Sequence, residues 1–546
     1  MDLTIDMEVD RVFSFDPNFQ SFSSNRYCLA SSKGMVATSN ALASAAGIEI
    51  LRMGGNAVDA AIATAACLTV VEPTANGIGS DNFALVWMKD QLYGMVSQGC
   101  SAQQISRDRV RSDYDRMPKY GWTPVTVPGT PAGWAALNQR FGRLSLLDCL
   151  MPAIRYAREG FPVAATVALA WQAAEKTYLS QREAHPELAH WFSCFNREGR
   201  SPEAFEYWTL PAHADSLELI GRSNSEAFYR GSLADRIDQQ SREEGGYLRK
   251  EDLAAHKALF VRPLSVNYRG YDVYELPPSN QGLVALMGLN VMKNFSFTAR
   301  DLDYYHKSFE AIKLSFADGK SYITDPAAMS VRPEDLISES YGRARAGLIR
   351  DFAQDFDAGS PLSSNTVYLA TGDGEGNLVS MIQSNYMGFG SGVVVEGTGI
   401  ALQNRGADFS LEEGHANVLA PGKKSYHTLI PGMIGKEGRI FTAFGVMGAY
   451  MQPQGHIQVA SNLIDFGENP QMALDAPRWQ WTEGKTFLVE DSFPTAVAES
   501  LIRRGHDVRK SLDRPSFGRG QIILRKPDGV LIGATESRTD GNIALY

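Results

Sequence analysis

The sequence predicts an α+β protein, on two observations. Residues 130–260 read as mostly helical, joined by polar connections such as residues 196–202, whereas the chain beyond Thr366 is rich in strand patterns. Helices first and strands second point to an α+β fold or to two separate domains. A length of 546 residues by itself suggests several domains, and 44% hydrophobic with 21% charged residues leaves an ample core.

Taken in order, residues 1 to about 30 read as an irregular leader. Gly34-Met35-Val36-Ala37-Thr38 looks like a short strand, and Ser39 can cap a helix through Leu42, Ala46 and Ile50 that Gly54-Gly55 ends. Ala57–Val71 is apolar nearly all round and rich in alanine, the pattern of a buried, closely packed helix. Residues 82–88 and 92–97, joined through Lys89-Asp90-Gln91, read as a hairpin. Residues 271–276 form a strand that runs into the turn Pro277-Pro278-Ser279-Asn280-Gln281-Gly282. Residues 301–320 carry an apolar stripe at Leu302, Tyr305, Phe309, Ile312 and Phe316, at helical spacing. A polar loop then leads to Thr366, where the strand Val367-Tyr368-Leu369-Ala370 begins. A turn over residues 372–377 returns the chain as Leu378-Val379-Ser380-Met381-Ile382. There is no internal repeat and no low-complexity tract.

Composition excludes several classes. The net charge is −10 and there is no basic block, so nucleic acid is not an expected partner. No stretch reaches ~18 uninterrupted apolar residues, so no membrane span is expected. The first ten residues are acidic and lack the apolar core of a secretory signal. Five cysteines, at 28, 67, 100, 149 and 194, are odd in number and show no CxxC spacing. Reduced thiols in a cytoplasm fit this better than a disulfide framework.

A hairpin that starts on a threonine is common, and Thr366 has an ordinary strand role on its own evidence. Its surroundings change the reading. Gly54-Gly55-Asn56-Ala57-Val58-Asp59-Ala60-Ala61, Val71-Glu72-Pro73, Asn365-Thr366, Gly388-Phe389-Gly390-Ser391-Gly392 and Asp408-Phe409-Ser410 together resemble the γ-glutamyltransferase family of N-terminal nucleophile hydrolases. The resemblance runs from Gly34 to near the C-terminus. It implies one four-layer αββα body, replacing the two-domain alternative, with residues 1–365 as a large segment and 366–546 as a small one. It also implies self-cleavage between Asn365 and Thr366, and a heterodimer of the two pieces, with a dimer of such pairs as a further option. The chemistry is coherent. A hydroxyl is a weak nucleophile at neutral pH and needs a base beside it. An α-amino group titrates near ~7.7–8.0, so a terminal threonine carries nucleophile and base on one residue. While the Asn365–Thr366 amide is intact, that nitrogen is not basic.

The resemblance assigns the rest of the site unevenly. Ser384 falls where the family has a threonine hydroxyl that orients the nucleophile, and is otherwise an ordinary strand serine. Asp408 falls where the family holds the substrate's α-amino group. The family arginine that grips the α-carboxylate corresponds to Gln98, which has no charge and no bidentate fork. Arg405 stands where many members have glutamine, so either it binds a carboxylate from another side or it only pairs with Asp408. The family's serine pair corresponds to His427-Thr428, and its asparagine to Tyr386, with Asn385 just before. The glycine pair whose N–H groups form the oxyanion hole corresponds to Gly448-Ala449. Backbone donors need no particular side chain, so alanine is acceptable there unless it must adopt positive φ. His427, Tyr426, Gln452-Pro453-Gln454 and Gly79-Ser80-Asp81 suggest a divergent branch, some of whose relatives hydrolyse other small acidic amides such as oxamate.

Three rival motifs fail. The glycine-rich 388–392 stretch runs into Val393-Val394-Val395 rather than a helix, against a nucleotide loop. Residues 373–377 lack calcium-loop spacing, and His185 and His190, five apart, do not share a helical face. The sequence therefore predicts a cofactor-free, self-processed amidase for a small substrate bearing a carboxylate and an amide. Glutathione-like γ-glutamyl compounds are the default substrate and smaller acidic amides the alternative. A non-cutting homologue kept as a binding protein is the remaining reading.

Overall fold

The computed structural model describes residues 21–22, 26–356 and 366–546. Asn365 and most of the leader lie outside the described residues. In chain order the main strands are β1 (Leu29–Ser31), β2 (Gly34–Thr38), β3 (Asp81–Met88), β4 (Gln91–Ser97), β5 (Leu259–Val261), β6 (Leu264–Tyr268), β7 (Tyr271–Glu275), β8 (Val367–Asp373), β9 (Leu378–Ser384), β10 (Gly432–Lys436), β11 (Arg439–Met447), β12 (Arg519–Arg525), β13 (Leu531–Thr535) and β14 (Asn542–Leu545). They form two seven-stranded antiparallel sheets, in the orders β14-β2-β8-β9-β3-β4-β5 and β1-β13-β12-β11-β10-β7-β6.

Period-2 alternation decides how these sheets are covered. Along β8, Tyr368 and Ala370 point into the space between the sheets, where they meet Ala443 and Met447 of β11. Val367 and Leu369 point the other way, onto a helical layer built around α1 (Ala41–Arg52) and α2 (Ala57–Val71). In β11 the alternate residues Phe444 and Val446 face a second helical layer. That layer contains α3 (Gly282–Met292), α4 (Leu302–Tyr322) and α5 (Met451–Ile464). The result is a four-layer αββα body. Strands from either side of Thr366 alternate within it, since β8 pairs with β2 and β9 with β3.

Local chemistry follows the sequence closely, with one correction. The α1 cap is Asn40, whose Oδ1 accepts from Leu42 N–H, rather than Ser39. The Ser39 hydroxyl instead donates to the buried Glu72. The β3–β4 hairpin turns through Lys89 and Asp90 at φ 52° and 58°, a tight turn matched to strand twist. Asn56 and Asp59 close a capping box on α2.

Candidate active site

Thr366 stands immediately before β8 and is fully buried. Antiparallel register pairs Val367 with Gln383, which brings Ser384, the last residue of β9, alongside Thr366. The Thr366 Oγ1 donates to Ser384 Oγ at 3.2 Å. The same serine oxygen accepts the Tyr386 N–H at 2.8 Å. Tyr386 sits at φ 77°, a region that costs a non-glycine residue about 1–2 kcal/mol. This bend turns its side chain to the next group of site residues.

Those residues form one network. Tyr386 Oη donates to Asp408 Oδ1 at 2.6 Å and Tyr450 Oη donates to the same oxygen at 3.1 Å. Arg405 Nη1 approaches Asp408 Oδ2 at 3.4 Å and donates to Thr428 Oγ1 at 2.9 Å. The Arg405 guanidinium lies 4.2 Å from the Tyr386 ring centre. Arg405 is completely buried, and its Nε and Nη2 have no partner among the described residues. Of the two sequence alternatives for Arg405, the pairing with Asp408 is seen, and two of its nitrogens are left without a hydrogen-bond partner among the described residues. Burial pushes the Asp408 carboxyl up, opposed by Arg405 and by the hydroxyls of Tyr386 and Tyr450.

Gln98 and His427 are engaged differently. Gln98 Nε2 donates to the Ser425 carbonyl at 2.8 Å, and its Oε1 accepts from Ser279 Oγ, so both ends of the amide are occupied. His427 Nδ1 accepts the Leu429 N–H at 3.1 Å, and Nε2 donates to Asp81 Oδ2 at 3.0 Å. That contact pattern sets one neutral tautomer. Burial and the neighbouring Arg405 and Lys424 hold His427 well below its ordinary range. Burial also pushes the Asp81 carboxyl up to about 7. His427 thus ties its loop to β3.

Gly448 and Ala449 follow β11 and precede α5. The Gly448 carbonyl accepts from Met451 N–H in the first turn of that helix. A trans peptide directs the Ala449 N–H the opposite way, out from the helix end. Neither N–H of the pair donates a hydrogen bond among the described residues. Gly448 adopts φ 133° and Ala449 φ 49°, so the positive φ that disfavours alanine does apply here. Tyr368, two residues past Thr366, lies against Gly445, three before Gly448, which places the two loops at facing sheets.

The sequence did not single out three other participants. Gln281 Nε2 donates to both the Thr428 carbonyl at 2.9 Å and the Ala449 carbonyl at 2.7 Å, clasping the two loops. Tyr450 reaches Asp408, and Lys320 places its Nζ over the Tyr450 ring. Turn position and helix periodicity explained Gln281 and Lys320 without reference to a site, and nothing marked Tyr450 but its adjacency to Gly448-Ala449. A His306, Glu310 and His506 cluster brings ligand-type atoms within 4.8 Å of one another. It is already engaged internally, with His306 and His506 hydrogen-bonded at 2.8 Å and Lys313 at 2.6 Å from Glu310.

A buried threonine at the head of a central strand is thus hydrogen-bonded to a neighbouring hydroxyl, and the strand of the facing sheet that packs on it leads into a loop whose two N–H groups make no hydrogen bond among the described residues. Residues 43–546 match the family described as Gamma-glutamyltranspeptidase. The chain belongs to the γ-glutamyltranspeptidase family. Its relatives are hydrolase proenzymes. It is 38% identical to the glutathione hydrolase-like YwrD proenzyme of Bacillus subtilis, over 93% of this chain and 98% of that one. It is 33% identical to the oxamate amidohydrolase proenzyme of Klebsiella pneumoniae, over 94% and 99%. Among solved structures, the cephalosporin acylase from Bacillus halodurans superposes with a TM-score of 0.93 at 52% identity, covering 97% of this chain and 99% of that one. The fold is that of this N-terminal nucleophile hydrolase family, and the protein is an enzyme of it. No helix among the described residues is long and apolar enough to cross a membrane.

Proposed function

We propose that the chain cuts itself between Asn365 and Thr366 and then hydrolyses γ-glutamyl amides such as glutathione. The observation that carries this reading is the Thr366–Ser384 hydrogen bond at the head of β8. In the cut enzyme the Thr366 α-amino group takes the proton as Oγ1 attacks the amide carbonyl. The N–H groups of Gly448 and Ala449 receive the oxyanion. The amine leaves with that proton, and water, or an amino acid or peptide, then takes the acyl group from Thr366. Asp408 receives the substrate's α-amino group, and Arg405, with Thr428 beside it, its carboxylate. Ser384 orients the nucleophile, and Tyr386 holds Asp408 in place. Gln98 and His427 shape the walls through their bonds to Ser425, Ser279 and Asp81. The two pieces remain one heterodimer. Five free thiols support a reducing, cytoplasmic setting.

A second reading, hydrolysis of another acidic amide, is favoured by one observation. Gln98, at the position of the family's carboxylate-gripping arginine, already has both ends of its amide occupied. The relatives named as an oxamate amidohydrolase and a cephalosporin acylase support it.

The deciding experiment is intact mass of the purified protein under denaturing conditions, with sequencing of any new N-terminus. Two pieces, residues 1–365 and 366–546, are expected. A single uncut chain in fully matured protein would mean that Thr366 has no free amine, and a binding role would take its place. Assays of γ-glutamyl compounds beside oxamate and neutral amides then separate the two readings. Equal turnover of neutral amides would contradict the role given to Arg405.

A further inference from the structure

Asp408 forms part of the wall of a cavity of about 770 Å³, together with Lys320, Asn417, Tyr426 and Tyr450. This is in the range of small-molecule sites, roughly 300–1,000 Å³. Arg405 is not on this wall and is completely buried. Lys320 is a cation that the cavity itself presents. It sits in the last turn of α4, where a lysine ordinarily serves the helix end and its dipole. That role does not account for where the side chain goes. Its Nζ lies 5.2 Å from the centre of the Tyr450 ring, which stacks at 5.8 Å on Tyr426 and whose hydroxyl donates to Asp408. Burial pulls the Lys320 ammonium down to about 8, with Asp408 pulling the other way. His415, also on the wall, accepts the Asn417 N–H through Nδ1, and burial with the nearby Lys423 and Lys320 lowers its pKa. A partly buried ammonium gains more from a carboxylate than a fully solvated one does.

We propose that Lys320 and this cavity form an anion subsite that takes a carboxylate of the substrate, apart from the interior donors of Arg405. It rests on the reading of Asp408 as a substrate-binding group. The carboxylate belongs either to the acyl part of the substrate or to its amine part, and two matched pairs distinguish these. The acyl-side pair is glutaryl-p-nitroanilide and its terminal carboxamide. The amine-side pair is γ-glutamylglycine and γ-glutamylglycinamide.

The experiment measures kcat and KM for both pairs with the self-processed wild type, Lys320→Met and Lys320→Arg. In Lys320→Met the preference for the charged member is expected to fall at least tenfold in one pair, through KM, and Lys320→Arg to retain most of it. The affected pair identifies the end of the substrate that is bound. A preference unchanged within twofold in both pairs overturns the subsite. If the cut wild type turns over neither pair, the proposed function fails instead, and the subsite is judged by calorimetric titration. Glutarate should then be preferred over glutaramate in the wild type and lose at least tenfold of that preference in Lys320→Met. Equal preference in the two proteins overturns it.

Discussion

At the scale of single residues, the site is held by hydrogen bonds whose loss has distinct signatures. Ser384→Ala removes the oxygen that accepts from Thr366 Oγ1 at 3.2 Å. A positioning bond of this kind is worth roughly 1.5–3 kcal/mol when it shapes the reacting geometry, so kcat should fall about 10- to 100-fold with KM little changed. Steady-state kinetics on fully cut protein check this, and a change confined to KM would contradict it. Arg405→Met leaves the Asp408 carboxylate buried without its nearest cation. Stability should drop by about 3–5 kcal/mol in urea titrations. Asp81 makes a pH prediction. Its folded pKa, about 7, lies above the ordinary carboxylate value of 3.8, so between those limits the folded state binds more protons than the unfolded one. This group's contribution to stability is thus full below pH 4 and is lost as pH rises to about 7. The loss of stability of wild type across pH 4–7, relative to Asp81→Asn, should reveal that slope in denaturant titrations. Parallel curves would reject it.

At the scale of elements, the site depends on loops held in uncommon backbone states by neighbours. Ala449 at φ 49° lies in the turn after β11, and its carbonyl is held by Gln281 Nε2. The same Nε2 holds the Thr428 carbonyl. Gln281→Met removes both bonds at similar volume and should lower kcat by about tenfold through the oxyanion donors, with the fold retained by circular dichroism. Unchanged kcat would show that the clasp plays no part in catalysis. Much of the element level was legible in the sequence. The α2 helix, the β3–β4 hairpin and the β8–β9 hairpin all appear as their periodicity and turns predict. The α1 cap was misplaced by one residue because both Ser39 and Asn40 can cap. Only the tertiary partner of Ser39, the buried Glu72, removes it from competition.

At the scale of the whole molecule, β2 and β3 flank β8 and β9 in one sheet. The proposed cut before Thr366 would therefore leave the backbone ladders between the two pieces intact. Native mass measurement of the cut protein should show both pieces together, and they should part only in denaturant. Separation under native conditions would contradict this architecture. The same strand order brings the Ser384 hydroxyl to Thr366 across a hairpin, and the facing sheet brings Gly445 to Tyr368.

The sequence by itself determined the main helices and hairpins, because these are set by periodicity and by hydrogen bonds over a few residues. Its motifs also carried the family likeness and the choice of Thr366. It could not determine that Arg405 pairs with Asp408, that both ends of Gln98 are spent inside the protein, or that Gln281 reaches Ala449, Tyr450 reaches Asp408 and Lys320 lies over Tyr450. Those contacts join residues as far apart as Gln98 and Ser425, or Lys320 and Tyr450. Such pairs meet only when the two sheets stack and their loops converge, and no local pattern records that meeting.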